Sequence, residues 1–412
     1  FHLYCLISQK STLFCHCILC LVELLGKNVT VKECGLSRAQ YADFKVICKV
    51  KNAPATEMIV GVFFMERLSM STGELISTER LQYNNIDLIK FIMAFAVVAI
   101  HTNPLVNCKN DIVQIVYNNI VNMAVPFFFL TTGFLLSGRM SFSNKTSDIS
   151  ILGHYIGKIL KMYFIWMVLY TPLTIYHVFD KNISLKKAMS TYLQGIFFTG
   201  EQYNAWPLWY LLSTVYTLCI VILLLKLNAS KNSFLIVSII FSVISIGISW
   251  IAGIESSKYS VEIVQNIIAH TVYNGRIFRG MIFIPIGMCF NFQKISYNMN
   301  ILIMISSFFL NCILKNYFLR SYLLILTTVS FFGIILNWKL MDHPVYHKLR
   351  KMSTIMYLIH MYIWSIYYKV LYGEKTYGLD SFIITSLCGC VVALLYLKVI
   401  NKFKMRAFHK RK

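Results

Sequence analysis

The sequence predicts an all-α protein, a polytopic membrane helix bundle of about ten transmembrane helices. Three observations support this prediction. The 412 residues are 57% hydrophobic and only 14% charged, whereas an average soluble domain is roughly 45–50% apolar. From Asp87 onward, apolar runs recur with about the 20-residue length that a bilayer core requires of a helix. These runs are too long and too continuously apolar for the alternating strands of an outer-membrane barrel.

The predicted spans follow one another closely and leave no room for a soluble domain of useful size. In the second span, Gly133 and Ser137 stand four residues apart, so two helices can approach each other closely there. The longest connection, residues 179–205, contains the amphipathic segment SLKKAMSTYLQGIFF, which is expected to lie on the membrane. The spans are expected near residues 87–106, 112–138, 152–178, 206–226, 233–253, 275–292, 298–314, 319–338, 353–372 and 380–400.

Residues 1–80 are predicted to be an N-terminal segment that is poorly structured or lies upstream of the natural start. The chain begins with Phe1 rather than Met, and this region has no sustained periodicity. Its motif CHCILC, from Cys15 to Cys20, has the residue types of a zinc knuckle, but no second pair of ligands follows at suitable spacing. No metal site is therefore expected, and the cysteines of the predicted spans are expected to act as small apolar residues without disulfide bonds.

The formal net charge of +22 is distributed in short basic clusters between the apolar runs. Clusters of this kind set the orientation of a membrane protein against the cytoplasmic leaflet, so nucleic-acid binding is not expected. We expect a multi-pass protein of a bacterial plasma membrane with both termini cytoplasmic, ending in a basic tail at residues 401–412. The cytoplasmic connections would then hold Arg139, Lys145, Lys158 and Lys161, and further along the chain Lys339, Lys348, Arg350 and Lys351.

The first predicted span, DLIKFIMAFAVVAIHTNP, contains two basic residues, Lys90 and His101. Eleven residues along a helix correspond to about 20° beyond three full turns and to about 16 Å of rise. The two residues therefore share one face at different depths, with Asp87 close to the same stripe. Lys90 is expected near the cytoplasmic interface, where a snorkelling anchor is the alternative. His101 is expected in the outer part of the membrane, turned towards the bundle interior, where an imidazole suits proton transfer.

The first span resembles the signature of the acyltransferase-3 superfamily. In that signature an acid and a basic residue are followed, after ten intervening residues, by a histidine. The segment VPFFFLTTGFLLSG is similar to its FFxxSGxL segment, with Thr132 where serine is common, and YIGKILKMYFIW resembles its following basic pair. The segments PLWYLLSTVY, NGRIFRGMIFIPIGM and MYLIHMYIW are similar to three later parts of the family pattern. The resemblance covers roughly residues 84–400, with six motifs in order.

The resemblance implies a membrane O-acyltransferase that moves an acyl group, usually acetyl, from acetyl-CoA to a hydroxyl of a surface carbohydrate. Acetyl-CoA or another acyl-CoA would be the co-substrate, and no metal is implied. The cationic cluster Lys90, Lys158 and Lys161 would receive the CoA phosphates, although the last two also satisfy the positive-inside rule. The family usually has arginine at these three positions. Lysine keeps the charge but lacks the planar fork that grips phosphate.

The same resemblance implies roles for residues in the outer half of the membrane. His101 would act as general base, with an acyl-imidazole as the alternative route. Arg276 and Arg279 would bind an anionic acceptor or stabilise an oxyanion, and interfacial snorkelling is the alternative. His360, within YLIHMYIW, is expected to be a packed histidine that hydrogen-bonds to a neighbouring helix rather than a catalytic one.

A second hypothesis comes from another resemblance of the same membrane region, to the N-terminal half of the membrane-bound serine racemases of vancomycin-resistance clusters. No pyridoxal-phosphate domain follows before Lys412, so we expect no racemase activity. A small-solute transporter of the serine type is the alternative function. For the acyltransferase, the expected partners are membrane lipids, a surface glycan or lipid-linked carbohydrate acceptor, and a separate extracytoplasmic transferase if the bundle does not acylate the acceptor itself.

Overall fold

The computed structural model describes residues 83–409, apart from residues 231, 256–258, 292–294 and 373–376. The predicted N-terminal segment, including CHCILC, lies outside the described residues. The described helices belong to one compact unit within residues 79–412.

The described residues form thirteen α-helices and no strand. A π-helical turn at Gly195–Thr199 and two short 3₁₀ helices, Trp206–Leu208 and Arg276–Phe278, lie between them. The α-helices are α1 (Asn84–Thr102), α2 (Asp111–Asn122), α3 (Ala124–Ser137), α4 (Lys145–Asp180), α5 (Leu185–Gln194), α6 (Trp209–Lys226), α7 (Asn232–Ala252), α8 (Tyr259–Val272), α9 (Arg279–Cys289), α10 (Tyr297–Ile313), α11 (Tyr317–Asn337), α12 (Pro344–Tyr372) and α13 (Leu379–His409).

Seven helical segments of the described chain are long and apolar enough to cross a membrane. They are Asn84–Thr102, Asp111–Ser137, Lys145–Asp180, Trp206–Lys226, Asn232–Ala252, Tyr317–Asn337 and Leu379–Asn401. The predicted helical class is confirmed, but the predicted count of about ten is not. The other three expected spans are helical as α9, α10 and part of α12. The first two have only 11 and 17 residues, and α12 carries two histidines, several tyrosines and basic residues that lower its hydropathy.

The side-chain pattern of α7 is the reverse of that of a helix in a water-soluble protein. Ser238, Ser242 and Ser245 are buried, whereas Ile239 and Val243 are 63% and 57% exposed. The serine hydroxyls hydrogen-bond to backbone carbonyls, for example from Ser238 to Phe234. Apolar side chains on the outside and small polar ones inside suit a helix whose surroundings are lipid. The chain is therefore a multi-pass membrane protein.

Helices α3 and α9 cross at very close range, as the small residues of the second span predict. A Cβ on Gly133 would overlap the backbone carbonyl of Ile284, and one on Gly287 would overlap that of Leu130. The Ser137 hydroxyl donates a hydrogen bond to the carbonyl of Met288 at 3.3 Å. The predicted close approach at Gly133 and Ser137 is thus confirmed, because only glycine fits at position 133 and the Ser137 hydroxyl bonds directly to the backbone of α9.

The predicted amphipathic segment after α4 forms α5. Its apolar residues Leu185, Met189 and Leu193 recur every four positions and are 76%, 53% and 48% exposed. An exposed apolar stripe of this kind is typical of a helix that lies in a membrane interface.

Helices α1 and α12 pack along each other and run in the same direction. Their first halves meet where Asp87 contacts Arg350, and their second halves meet where His101 contacts His360. We call these two regions the Lys90 end and the His101 end. At the His101 end, the N–H of Gly378 donates to the Thr102 carbonyl at 2.9 Å and ties the start of α13 to α1.

Candidate active site

An ion pair joins α1 to α12 at the Lys90 end. Arg350 binds the Asp87 carboxylate in bidentate fashion, with Nε at 2.8 Å from Oδ1 and Nη2 at 2.7 Å from Oδ2. The Asp87 side chain is 5% exposed and that of Arg350 is 41% exposed. A planar guanidinium held on one edge by a carboxylate keeps its remaining N–H groups in a fixed direction.

Lys90 lies one helical turn beyond Asp87 on the same helix and is half-buried. Its Nζ is 6.0 Å from the centroid of the Phe128 ring on α3, the distance of a weak cation–π contact. The Lys90 end therefore contains two cations, Lys90 and Arg350, and one buried carboxylate.

Two histidine rings meet at the His101 end. The centroid of the His101 ring is 5.1 Å from that of His360 and 5.6 Å from that of Trp206. His101 is half-buried, and His360 is 1% exposed. The two imidazoles come from α1 and α12, whereas the indole comes from the 3₁₀ helix before α6. The site thus depends on three separate parts of the chain.

The His360 ring has one satisfied nitrogen and one unsatisfied nitrogen. Its Nδ1 lies 3.2 Å from the carbonyl oxygen of Met356, one turn earlier in α12. A carbonyl can only accept, so Nδ1 carries the hydrogen and the neutral ring has its lone pair on Nε2. That Nε2 is buried and has no hydrogen-bond partner within the part of the chain that the structure describes.

A row of rings links the two ends through the interior. Phe128, beside Lys90, has its centroid 5.7 Å from that of Tyr357. The Tyr357 ring is 6.2 Å from that of His360, which in turn contacts His101. A continuous series of aromatic ring contacts therefore connects the Lys90 end with the His101 and His360 pair.

The other two predicted phosphate ligands, Lys158 and Lys161, lie on α4. Lys158 is exposed and Lys161 is half-buried on α4. Helix α4 packs mainly on α6 and α12.

The two predicted acceptor ligands lie near Tyr273. Arg276 is exposed, donates from Nη1 to the Tyr273 hydroxyl at 2.9 Å, and lies 4.7 Å from the centroid of that ring. Burial raises the pKa of the Tyr273 hydroxyl, and the Glu201 carboxylate raises it further. Arg279 is half-buried at the start of α9, within electrostatic range of Tyr273 and Arg276. Neither arginine hydrogen-bonds to His101 or His360 among the described residues.

Two residues gain importance from the structure. Arg350 appears in the sequence only as one of several loop cations, and no local pattern links it to Asp87, 263 positions away. His360 was expected to hydrogen-bond to a neighbouring helix, but its bonded nitrogen faces its own helix and its ring faces His101. The motif YLIHMYIW drew attention to His360, but nothing in this motif indicates that His360 lies beside His101.

Clusters with metal-ligand chemistry are not found in the described part of the chain. No three His, Cys, Asp or Glu side chains there lie close enough together to hold a metal ion. The described cysteines form no disulfide bond.

The chain is similar to curated proteins named as racemases. It is 32% identical over 209 residues to an amino-acid racemase of Enterococcus faecalis, which covers 51% of this chain and 27% of the relative. It is 23% identical over 340 residues to another amino-acid racemase of E. faecalis, covering 78% and 47% of the two chains. A serine/alanine racemase of Enterococcus gallinarum is 24% identical over 298 residues, covering 68% and 41%.

The chain therefore spans less than half the length of these relatives. No solved structure matches it significantly. The family model described as an acyltransferase domain, of the acyltransferase-3 type, matches residues 83–397, which is nearly the whole described bundle. The chain belongs to the acyltransferase-3 family of membrane proteins.

Proposed function

We propose that the protein is a membrane acyltransferase that moves an acyl group, acetyl in the first instance, from acyl-CoA to a hydroxyl of a cell-surface carbohydrate. One observation carries this proposal. The helix pair α1 and α12 has cations at one end and paired imidazoles at the other, with aromatic rings between them. The rise between Lys90 and His101 is about 16 Å, which is of the same order as an extended phosphopantetheine arm.

The Lys90 end would receive the CoA phosphates. Asp87 neutralises one edge of the Arg350 guanidinium and orients the others, and Lys90 adds a compact positive charge. Arg350 thus supplies the planar donor group that lysine at position 90 lacks. Lys158 and Lys161 would add positive charge that attracts the polyanion.

The His101 end would carry out the transfer. His101 takes the proton of the acceptor hydroxyl while the oxygen forms a bond to the thioester carbonyl carbon. The C–S bond then breaks, and the imidazolium returns the proton to the CoA thiolate, so no net charge accumulates. Arg276 and Arg279 would guide an anionic part of the acceptor towards this end.

The topology follows from this chemistry, because acyl-CoA is cytosolic and surface glycans are not. We propose that α9, α10 and the second half of α12 also cross the membrane and that both termini are cytoplasmic. The Lys90 end then faces the cytoplasm and the His101 end faces outward. The even number of spans agrees with the basic residues after the second span and in the tail.

The experiment is acyl transfer by the purified full chain in proteoliposomes. Radiolabelled acetyl-CoA is supplied on one side and undecaprenyl-linked or extracted envelope glycan on the other, and label in the glycan is counted. His101→Ala should lower the rate by at least about 100-fold, since a positioned base contributes about 10²–10⁴-fold. His270→Ala, an exposed histidine on α8, is the matched control and should keep the rate of the unaltered chain.

Two outcomes would overturn the proposal. One is unaltered transfer in His101→Ala. The other is uptake of labelled serine into the vesicles without consumption of acetyl-CoA, which would favour a transporter instead.

A further inference from the structure

Gln202 is a buried side chain whose amide group has no partner inside the protein. It is 1% exposed, and neither its Oε1 nor its Nε2 forms a hydrogen bond within the part of the chain that the structure describes. A carboxamide offers an acceptor oxygen and two N–H donors, and burying these groups unpaired costs free energy. A methionine would fill nearly the same space without that cost. The glutamine at this position therefore indicates a partner from outside the chain.

The polar side chains next to Gln202 are engaged elsewhere. A Cβ on Gly195 would lie 3.1 Å from the Gln202 Cβ, so the glutamine packs against the start of the π-helical turn. There the Tyr163 hydroxyl donates to the Gly195 carbonyl at 3.2 Å. The Nδ2 of Asn204 donates to the Leu173 carbonyl at 3.4 Å. Both side chains thus serve backbone carbonyls and leave the Gln202 amide unpaired.

Gln202 belongs to the connection between the π-helical turn and the 3₁₀ helix that precedes α6. The N–H of Ala205 donates to the Gln202 carbonyl at 2.7 Å, so a single turn separates Gln202 from Trp206. The Trp206 ring contacts the His101 ring, with 5.6 Å between the centroids. The unpaired amide therefore lies on the segment that carries the indole of the candidate active site.

We propose that Gln202 is a specificity-determining residue for the acceptor, and that its amide binds two neighbouring hydroxyls of a sugar ring. This inference rests on the proposed function and names what its acceptor site recognises. One hydroxyl donates to Oε1, and the oxygen of the next hydroxyl accepts from Nε2–H. Because every hydroxyl both donates and accepts, the pair fits the amide in either of its two orientations.

The sugar reaches the amide when the connection at residues 200–205 moves outward. Glu201 and Tyr203, on either side of Gln202 in the chain, are half-buried, so only this segment covers the amide. Tyr203 has a φ of 39°, in the left-handed region that costs free energy for a residue with a side chain. Movement of the connection uncovers the amide and lets Tyr203 leave this conformation.

The test measures glycan binding without an acyl donor. Radiolabelled extracted envelope glycan is equilibrated with the purified full chain in mixed micelles, and its Kd is determined. Gln202→Met keeps the volume but removes the amide. We expect the Kd to rise at least tenfold, because a site built to hydrogen-bond hydroxyls loses both bonds. The thermal midpoint of unfolding without glycan should not fall, because the amide has no partner to lose.

A second probe tests the hydroxyl pair itself. Periodate cleaves the bond between carbons that carry neighbouring hydroxyls, and borohydride then reduces the resulting aldehydes to alcohols. Glycan treated in this way should bind the unaltered chain at least tenfold more weakly than untreated glycan. Gln202→Met should bind the two glycans within about twofold of each other, because it no longer reads the pair.

Gln265→Met is the matched control, because Gln265 on α8 has a paired amide. Its Nε2 donates to the carbonyls of Ile251 and Ile254 at 3.1 and 2.7 Å. This variant should show the reverse pattern, with a lower thermal midpoint and an unchanged Kd for the glycan. In the transfer assay, Gln202→Met should raise KM for the glycan and leave KM for acetyl-CoA unchanged.

An unchanged Kd in Gln202→Met would overturn the inference, since the amide would then hold at most a buried water. A thermal midpoint lowered as in Gln265→Met would overturn it as well, because the amide would be paired within the protein. Absence of glycan binding by the unaltered chain would also overturn it. Amide-dependent glycan binding by a chain without transfer activity would retain the subsite and reject the acyltransferase proposal.

Discussion

The two ends of the α1–α12 pair are joined by different kinds of interaction. At the Lys90 end, a charged bidentate pair with one buried partner fixes the helices. At the His101 end, imidazole and indole rings stack without an ion pair between them. The first arrangement holds its geometry and presents positive charge, which suits a polyanion. The second brings two imidazoles into contact, which suits proton transfer.

Replacing Arg350 by Met should have the largest effect, because it leaves the Asp87 carboxylate buried without its counter-charge. We expect the free energy of unfolding in mixed micelles to fall by about 3 kcal/mol, the low end for a broken buried pair, since Arg350 is partly exposed. Lys348→Ala, an exposed cation nearby, should have no measurable effect. The double variant Asp87→Asn with Arg350→Met should regain much of the loss; if it does not, the ion pair is not what joins this end.

Replacing Trp206 by Leu tests the opposite end. The substitution removes the ring against His101 but leaves the Lys90 end intact. We expect kcat to fall by about tenfold, in the range of an aromatic contact, with an unchanged KM for acetyl-CoA. Trp250→Leu, at a 47% exposed tryptophan of α7, is the matched control. A rise in KM without a change in kcat would mean that the two ends are not functionally separate.

Replacing Lys90 by Arg should have the smallest effect and the opposite sign. An arginine restores the planar fork at the donor end, so KM for acetyl-CoA should fall by about threefold while kcat stays the same. The exposed Lys226→Arg is the control at the same end of the bundle. A change confined to kcat would contradict a role for Lys90 in binding the donor.

The parts of the structure that were predictable are those with local signals. Apolar runs predicted the helices, and Gly133 with Ser137 predicted the close crossing of α3 with another helix. The shared face of Lys90 and His101 followed from helical geometry. These features depend on residues a few turns apart, so periodicity is enough to find them.

The pairings that define the candidate site could not be predicted in this way. Asp87 and Arg350 are 263 positions apart, and only the packing of α1 against α12 brings them together. The same packing brings His360 to His101. The number of spans is also hard to predict, because α9 and α10 are short and α12 is lined with tyrosines and a histidine for interior contacts.

The parallel packing of α1 and α12 has a consequence for biosynthesis. The ribosome delivers α1 to the membrane before α12, which is the penultimate helix of the described chain. The Asp87 carboxylate therefore lacks its Arg350 partner until α12 has been made. Contacts over such long sequence separations form late and slowly. A nascent chain that stalls before α12 would carry in α1 an acid without its Arg350 counter-charge.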